Sequence, residues 1–106
     1  MRERDYQAKL IKKLHDMFPG CLILKNDSAY MQGVPDISIF YGDRWAMLEV
    51  KVDKKAATQP NQEYYVEILD DMSFAAVIYP QNEEEVLGAL QSALRTRRKT
   101  RIPKPE

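Results

Sequence analysis

Residues 33–51 read Gly-Val-Pro-Asp-Ile-Ser-Ile-Phe-Tyr-Gly-Asp-Arg-Trp-Ala-Met-Leu-Glu-Val-Lys. Two runs rich in β-forming residues, 35–41 and 44–52, flank Gly42-Asp43, a turn pair in which glycine supplies the positive φ that a two-residue hairpin requires. A two-residue turn pairs positions equidistant from it. Asp36 lies six residues before Gly42 and Glu49 six residues after Asp43, so the two carboxylates face each other across the strands. Directly opposed residues share a sheet face, with Cβ atoms about 4.5–5.5 Å apart. Alternation with a period of two then puts Lys51 on that face as well.

Two opposed carboxylates repel, and one of them tends to keep its proton unless positive charge is nearby. Lys51 supplies one such charge. A divalent cation supplies more, and hard oxygen donors suit Mg²⁺ or Mn²⁺; Mg²⁺ commonly keeps several waters and takes only one or two carboxylates. The backbone carbonyl of Val50 is a further candidate ligand. The competing account is an ordinary cluster of Asp, Glu and Lys on an exposed sheet face. A lone Glu-x-Lys favours that account, whereas Asp36 opposite Glu49 and preceded by Pro35 favours a built site.

Around the hairpin, residues 4–18 carry Tyr6, Leu10, Ile11, Leu14, Met17 and Phe18, the spacing of a helix with one apolar face, stopped by Pro19-Gly20. Residues 21–25 form a short apolar run suited to a buried strand, followed by the polar loop 26–33. After the hairpin come a loop at 53–60 and a helix from about 61 to 71, with Tyr65, Ile68 and Leu69 facing inward. A strand at 74–79 and a helix at 82–94 follow. Asn82 is placed to cap that last helix, and Glu83, Glu84 and Glu85 suit the positive end of its dipole, a structural reason for the acidic run. The order α-β-β-β-α-β-α describes a mixed sheet flanked by helices, an α/β layered domain.

Length and composition bound the rest. The 106 residues suffice for one domain, assigned to 1–94, with 95–106 as a basic tail expected to be flexible. The tail holds six Lys/Arg and one Glu, while the other 94 residues hold ten Lys/Arg and fifteen Asp/Glu. A solvated end and a phosphate-binding arm fit that tail equally well. No stretch approaches the roughly 20 apolar residues of a membrane span, and the N-terminus lacks the apolar run of a secretory signal, so a cytoplasmic location is expected. The single cysteine, Cys21, excludes an internal disulfide and a multi-cysteine zinc site. Its neighbours Gly20 and Leu22 suggest a buried strand start rather than a reactive thiol. The single histidine, His15, reads as a helix-surface residue.

Gly33-Val34-Pro35-Asp36 followed, after twelve intervening residues, by Glu49-Val50-Lys51 resembles the PD-(D/E)xK motif of restriction-endonuclease-like nucleases, whose core order α-β-β-β-α-β agrees with the order above. Within that superfamily the chain is most similar to small phage-type VRR-NUC and Holliday-junction-resolvase-like nucleases. The supporting features are Glu3 in the lead helix, the segment Lys25–Asp36 and Gln62 opening the helix after the motif, and the resemblance spans about residues 3–90. It implies a metal-dependent endonuclease that hydrolyses DNA phosphodiester bonds, on branched DNA among other substrates, in a protein of phage or bacterial origin. It implies that Asp36 and Glu49 hold the metal. Lys51 then positions or activates the attacking water, or stabilises charge on the phosphate. Gln62 lies beside the site, and Glu3, for which Asp5 is the alternative, joins the metal shell. Asp27 lies near the site in the pattern, though a loop-capping role accounts for it equally. Tyr30, Gln32 and Lys25 are candidates for DNA contact or for packing. Cutting two strands favours a homodimer, with Met31, Trp45 and Met72 available to an interface, although core packing explains Trp45 and Met72 as well. No small-molecule cofactor is expected. The alternative from another class is a non-catalytic nucleic-acid- or protein-binding module that keeps the nuclease fold; the intact Asp36, Glu49 and Lys51 count against it.

Overall fold

The computed structural model describes residues 1–56 and 60–95, with side chains from 61 onward in the second stretch. Its elements run α1 (Glu3–Met17), β1 (Leu22–Lys25), β2 (Ile37–Tyr41), β3 (Arg44–Val50), α2 (Pro60–Met72), β4 (Phe74–Ile78) and α3 (Glu83–Ala93). The four strands form one mixed sheet in the order β1-β2-β3-β4. The first two pairings are antiparallel and β3 pairs parallel with β4, which is why α2 must intervene as a crossover. Among the described residues, no helix is long and apolar enough to cross a membrane. The basic tail beyond Arg95 lies outside the described residues.

The β2–β3 register couples Ile37 with Leu48, Ser38 with Met47 and Tyr41 with Arg44, the pairing that a turn at Gly42-Asp43 dictates. Gly42 alone takes positive φ there (62°), as the first central residue of a type II′ turn does. Alternation then sorts the sheet into two faces. One carries Ile37, Ile39, Ala46, Leu48, Val50 and Ile78. These pack with Tyr6, Leu10, Leu14 and Phe18 from the first helix and its end, and with Val86, Leu87, Leu90 and Leu94 from the last. Tyr6 and Lys13 on α1 both donate to the carboxylate of Glu83 on α3, tying the two helices together. The other face carries Ser38, Phe40, Trp45, Met47 and Glu49, and α2 packs over it only across β3 and β4.

Three expectations need correction. Residues 22–25 are not a buried strand: β1 lies at the sheet edge, with Leu22 58% and Leu24 47% exposed, because their side chains point to the face that α2 leaves open. Cys21, just before the strand, is the buried residue of that run. Asn82 does not cap α3 with its side chain. Instead its Oδ1 accepts the N–H of Tyr79 at 2.8 Å and its Nδ2 donates to the carbonyl of Val77 at 3.0 Å, closing the turn after β4. Met72 is not core either, being 68% exposed at the end of α2, while Trp45 is half-buried. Tyr65, Ile68 and Leu69 face the sheet as expected and are half-buried along an open groove.

Candidate active site

Asp36 closes the loop that precedes β2, and its backbone is anchored there. The Asn26 N–H donates to the Asp36 carbonyl at 2.8 Å, and the Asn26 side-chain amide donates to the Pro35 carbonyl at 2.8 Å and to Ser38 Oγ at 2.9 Å. The Asp36 carboxylate reaches across to β3, where its Oδ2 accepts the N–H of Val50 at 2.8 Å. That bond places the carboxylate beside Glu49, at the end of the hairpin where β3 leaves the sheet.

Glu49 is only 1% exposed. Its Oε2 lies 3.2 Å from Lys51 Nζ, and its Oε1 is buried with no hydrogen-bond partner. A buried carboxylate oxygen left unpaired is costly, so it marks a position that some donor or cation must fill or a proton must neutralise. Burial pushes the Glu49 carboxyl up to about 7, helped by the charge of Asp36 and of Glu3 and opposed by Lys51. Lys51, also buried, donates from Nζ to Gln62 Oε1 at 3.0 Å, so the first turn of α2 positions the ammonium group between Gln62 and Glu49. The backbone of Lys51 is held by its N–H to the Ile78 carbonyl at 2.9 Å.

Glu3 stands at the start of α1, exposed but close enough that its carboxyl is raised first by partial burial and then by Asp36, while Lys51 lowers it. Asp36, Glu49, Lys51, Gln62 and Glu3 therefore all belong to one cluster. Among the described residues, no three His, Cys, Asp or Glu side chains are already arranged as a metal cage. The donors that fit a hard cation are the two adjacent carboxylates of Asp36 and Glu49, one with a vacant buried oxygen, an incomplete set that suits an ion retaining waters. Val50 lies between Glu49 and Lys51 in sequence, and its N–H is committed to Asp36.

Asp27 caps its own loop, its Oδ1 accepting the Ala29 N–H at 2.8 Å, which is the structural role that its position allowed. Tyr30 is 87% exposed and Gln32 and Lys25 are exposed as well, so packing does not account for them. Cys21 Sγ lies 3.6 Å from His15 Nδ1, but burial raises the thiol, the opposite of what an activated nucleophile needs. Reasoning from the sequence missed Asn26 and Ser38. Ser38 is two residues beyond Asp36 and so on its face, and Asn26 directly follows β1, opposite Asp36. A polar pair at those places was the available signal.

Compared with protein-family models, with curated proteins and with solved structures, the chain matches none.

Proposed function

We propose that this chain is a metal-dependent DNA endonuclease of the PD-(D/E)xK kind. The observation that carries the reading is the buried Glu49 carboxylate, with one oxygen paired to Lys51 and the other unpartnered, set beside an Asp36 carboxylate aimed from the opposite strand. A structural ion pair needs one carboxylate. The second, brought next to the first, raises its energy, and the Val50 N–H that holds it there supplies no full positive charge to offset the repulsion.

Asp36 and Glu49 are the residues that would hold Mg²⁺ or Mn²⁺, with the Val50 carbonyl and Glu3 as further donors. When bound, such an ion polarises a phosphoryl oxygen and lowers the pKa of its water. Lys51 brings a fixed positive charge to the same corner, where it orients the attacking water and offsets charge building on the non-bridging oxygens. Gln62 holds the Lys51 ammonium in place through its Oε1. Phosphodiester hydrolysis needs this combination of an activated nucleophile and preorganised positive charge.

DNA is the proposed partner, with branched, Holliday-junction-like DNA as one substrate and a second copy of the chain serving the second strand. The deciding experiment incubates the protein and Mg²⁺ with labelled linear duplex, plasmid and four-way junctions, with Lys51→Ala as control. Cleavage by the native chain and not by the variant supports the proposal. Tight DNA binding with no cleavage in Mg²⁺ or Mn²⁺ would instead establish the non-catalytic module.

A further inference from the structure

The groove between the loop 26–33 and α2 has a cavity volume of about 510 Å³, within the range of sites that take small organic ligands. Its walls adjoin the candidate active site along three segments. Met47 precedes Glu49 by two residues on the same face of β3, Val34 precedes Asp36 by two, and Tyr65 follows Gln62 by about one turn of α2. Asn26 belongs to both places: it lines the groove, its N–H donates to the Asp36 carbonyl, and its side-chain amide donates to the Pro35 carbonyl. Two residues of strand span about 6–7 Å, comparable with the reach of one nucleotide from its phosphate to its base.

We propose that this groove receives one unpaired nucleobase of the DNA strand whose phosphate lies at Asp36 and Glu49. The inference rests on the nuclease reading of that corner and adds a base-binding site to it. Charge selects the occupant. The described lining holds no Lys or Arg, and its one carboxylate is Asp27, so a phosphate is repelled where a neutral, flat ring is not. Tyr30 and Tyr65 supply aromatic rings for an unstacked base to pack on, and the Tyr64 ring meets that of Tyr65 edge-on at 5.3 Å, which steadies it. The side-chain amide of Asn26 already donates to Pro35 and Ser38, and Asp27 Oδ1 already accepts the Ala29 N–H. The groove therefore holds a base by its faces more than by its edge, with little regard to sequence. A base in an intact duplex must unstack and unpair to enter, at a cost that an already unpaired nucleotide avoids.

Binding measured with Ca²⁺ in place of Mg²⁺ tests the groove apart from the chemistry. The probes are two labelled duplexes of equal length and charge, one with a single bulged thymidine and the other with an abasic residue at the bulge. The full native chain is expected to bind the thymidine bulge about tenfold more tightly, and Tyr30→Leu and Tyr65→Leu are each expected to erase most of that preference. Tyr30 is 87% exposed, so its variant keeps the test decisive even if Tyr65→Leu fails to fold by circular dichroism. No preference by the native chain overturns the proposal, and is the result that a groove filled by another part of the chain or by a second copy gives. A preference that survives in the folded variants also overturns it, because the base then sits elsewhere. Cleavage of the same duplexes in Mg²⁺ separates the two readings. Cutting without base preference keeps the nuclease and removes the base site, whereas base preference without cutting keeps the base site and removes the nuclease.

Discussion

The N–H of Val50 is donated to the carboxylate of Asp36, 2.8 Å away at the end of the loop that leads into the neighbouring strand. A backbone donor in the middle of the Glu-Val-Lys segment thus aims the side chain that begins the site. Because Val50 turns its own side chain into the core between the sheet and the helices, the donor is as rigid as the core itself. Asp36 is therefore held next to Glu49 despite the repulsion between them.

Removing that aimed carboxylate should remove the metal site. In calorimetric titration with Mn²⁺, the native chain is expected to bind and Asp36→Asn to lose most of its affinity, while both melt as folded proteins. Equal binding by the two would take Asp36 out of the site.

Glu49 links metal binding and stability to pH. Its folded-state pKa, pushed up to about 7 from 4.5, means that the folded chain binds the extra proton more tightly than the unfolded chain. In EDTA this group's contribution should therefore destabilise the fold progressively as pH rises from about 4.5 through about 7, and Mn²⁺ affinity should fall as pH drops below about 7 because the proton competes. Glu49→Gln should flatten the stability profile and raise the melting temperature above pH 7, relieving a like-charge contact of order 0.2–1 kcal/mol, while abolishing cleavage. Melting curves of both chains from pH 5 to about 8.5 check the sign; a Glu49→Gln chain that melts below the native chain at high pH would make Glu49 a structural residue.

Lys51 and Gln62 should separate by degree. Lys51→Ala removes the charge beside the phosphate and should lower turnover by about 10²–10³-fold. Gln62→Ala removes only the group that positions Lys51 and should cost about 10–100-fold, with DNA affinity in Ca²⁺ nearly unchanged in both. Single-turnover kinetics at saturating DNA measure this directly.

Gly33 and Gly20 offer a controlled pair. Both have positive φ, 90° and 87°, so alanine is strained at either by about 1–2 kcal/mol. Only at Gly33 would the new Cβ also clash with a neighbour, the Cβ and backbone of Asn61. Gly33→Ala should thus melt lower than Gly20→Ala and also lose activity, since α2 must shift at the residue next to Gln62. Urea denaturation of the two variants ranks them, and equal losses would show that the loop yields without moving the helix.

The basic tail is tested by truncation after Leu94. If Arg95, Arg97, Arg98, Lys99, Arg101 and Lys104 contact phosphates, DNA binding weakens and the slope of log affinity against log salt falls by about 0.9 for each lost contact. Turnover at saturating DNA is expected to hold, because Asp36, Glu49 and Lys51 remain. An unchanged salt slope would remove the tail from binding.

Local chemistry was enough to read the hairpin and its consequences. A two-residue turn at Gly42-Asp43 admits one register, and a period of two leaves no choice about which side chains share a face, so the approach of Asp36, Glu49 and Lys51 was legible from residue numbers. The helices were legible too, because Leu10, Leu14, Leu87 and Leu90 recur at helical spacing. Burial was another matter. Leu22 and Leu24 look like core residues in a linear reading, yet whether a strand face is covered depends on where a distant helix crosses, and α2 crosses over β3 and β4 instead. Asn82 likewise has the chemistry of a helix cap, but the carbonyl of Val77 and the N–H of Tyr79 come within its reach only once the strand ends beside the helix. The unpartnered oxygen of Glu49 is the clearest case. Its residue type and strand position follow from the sequence, but its isolation from water arises only in the folded corner where Asp36, Lys51 and Gln62 gather beside it.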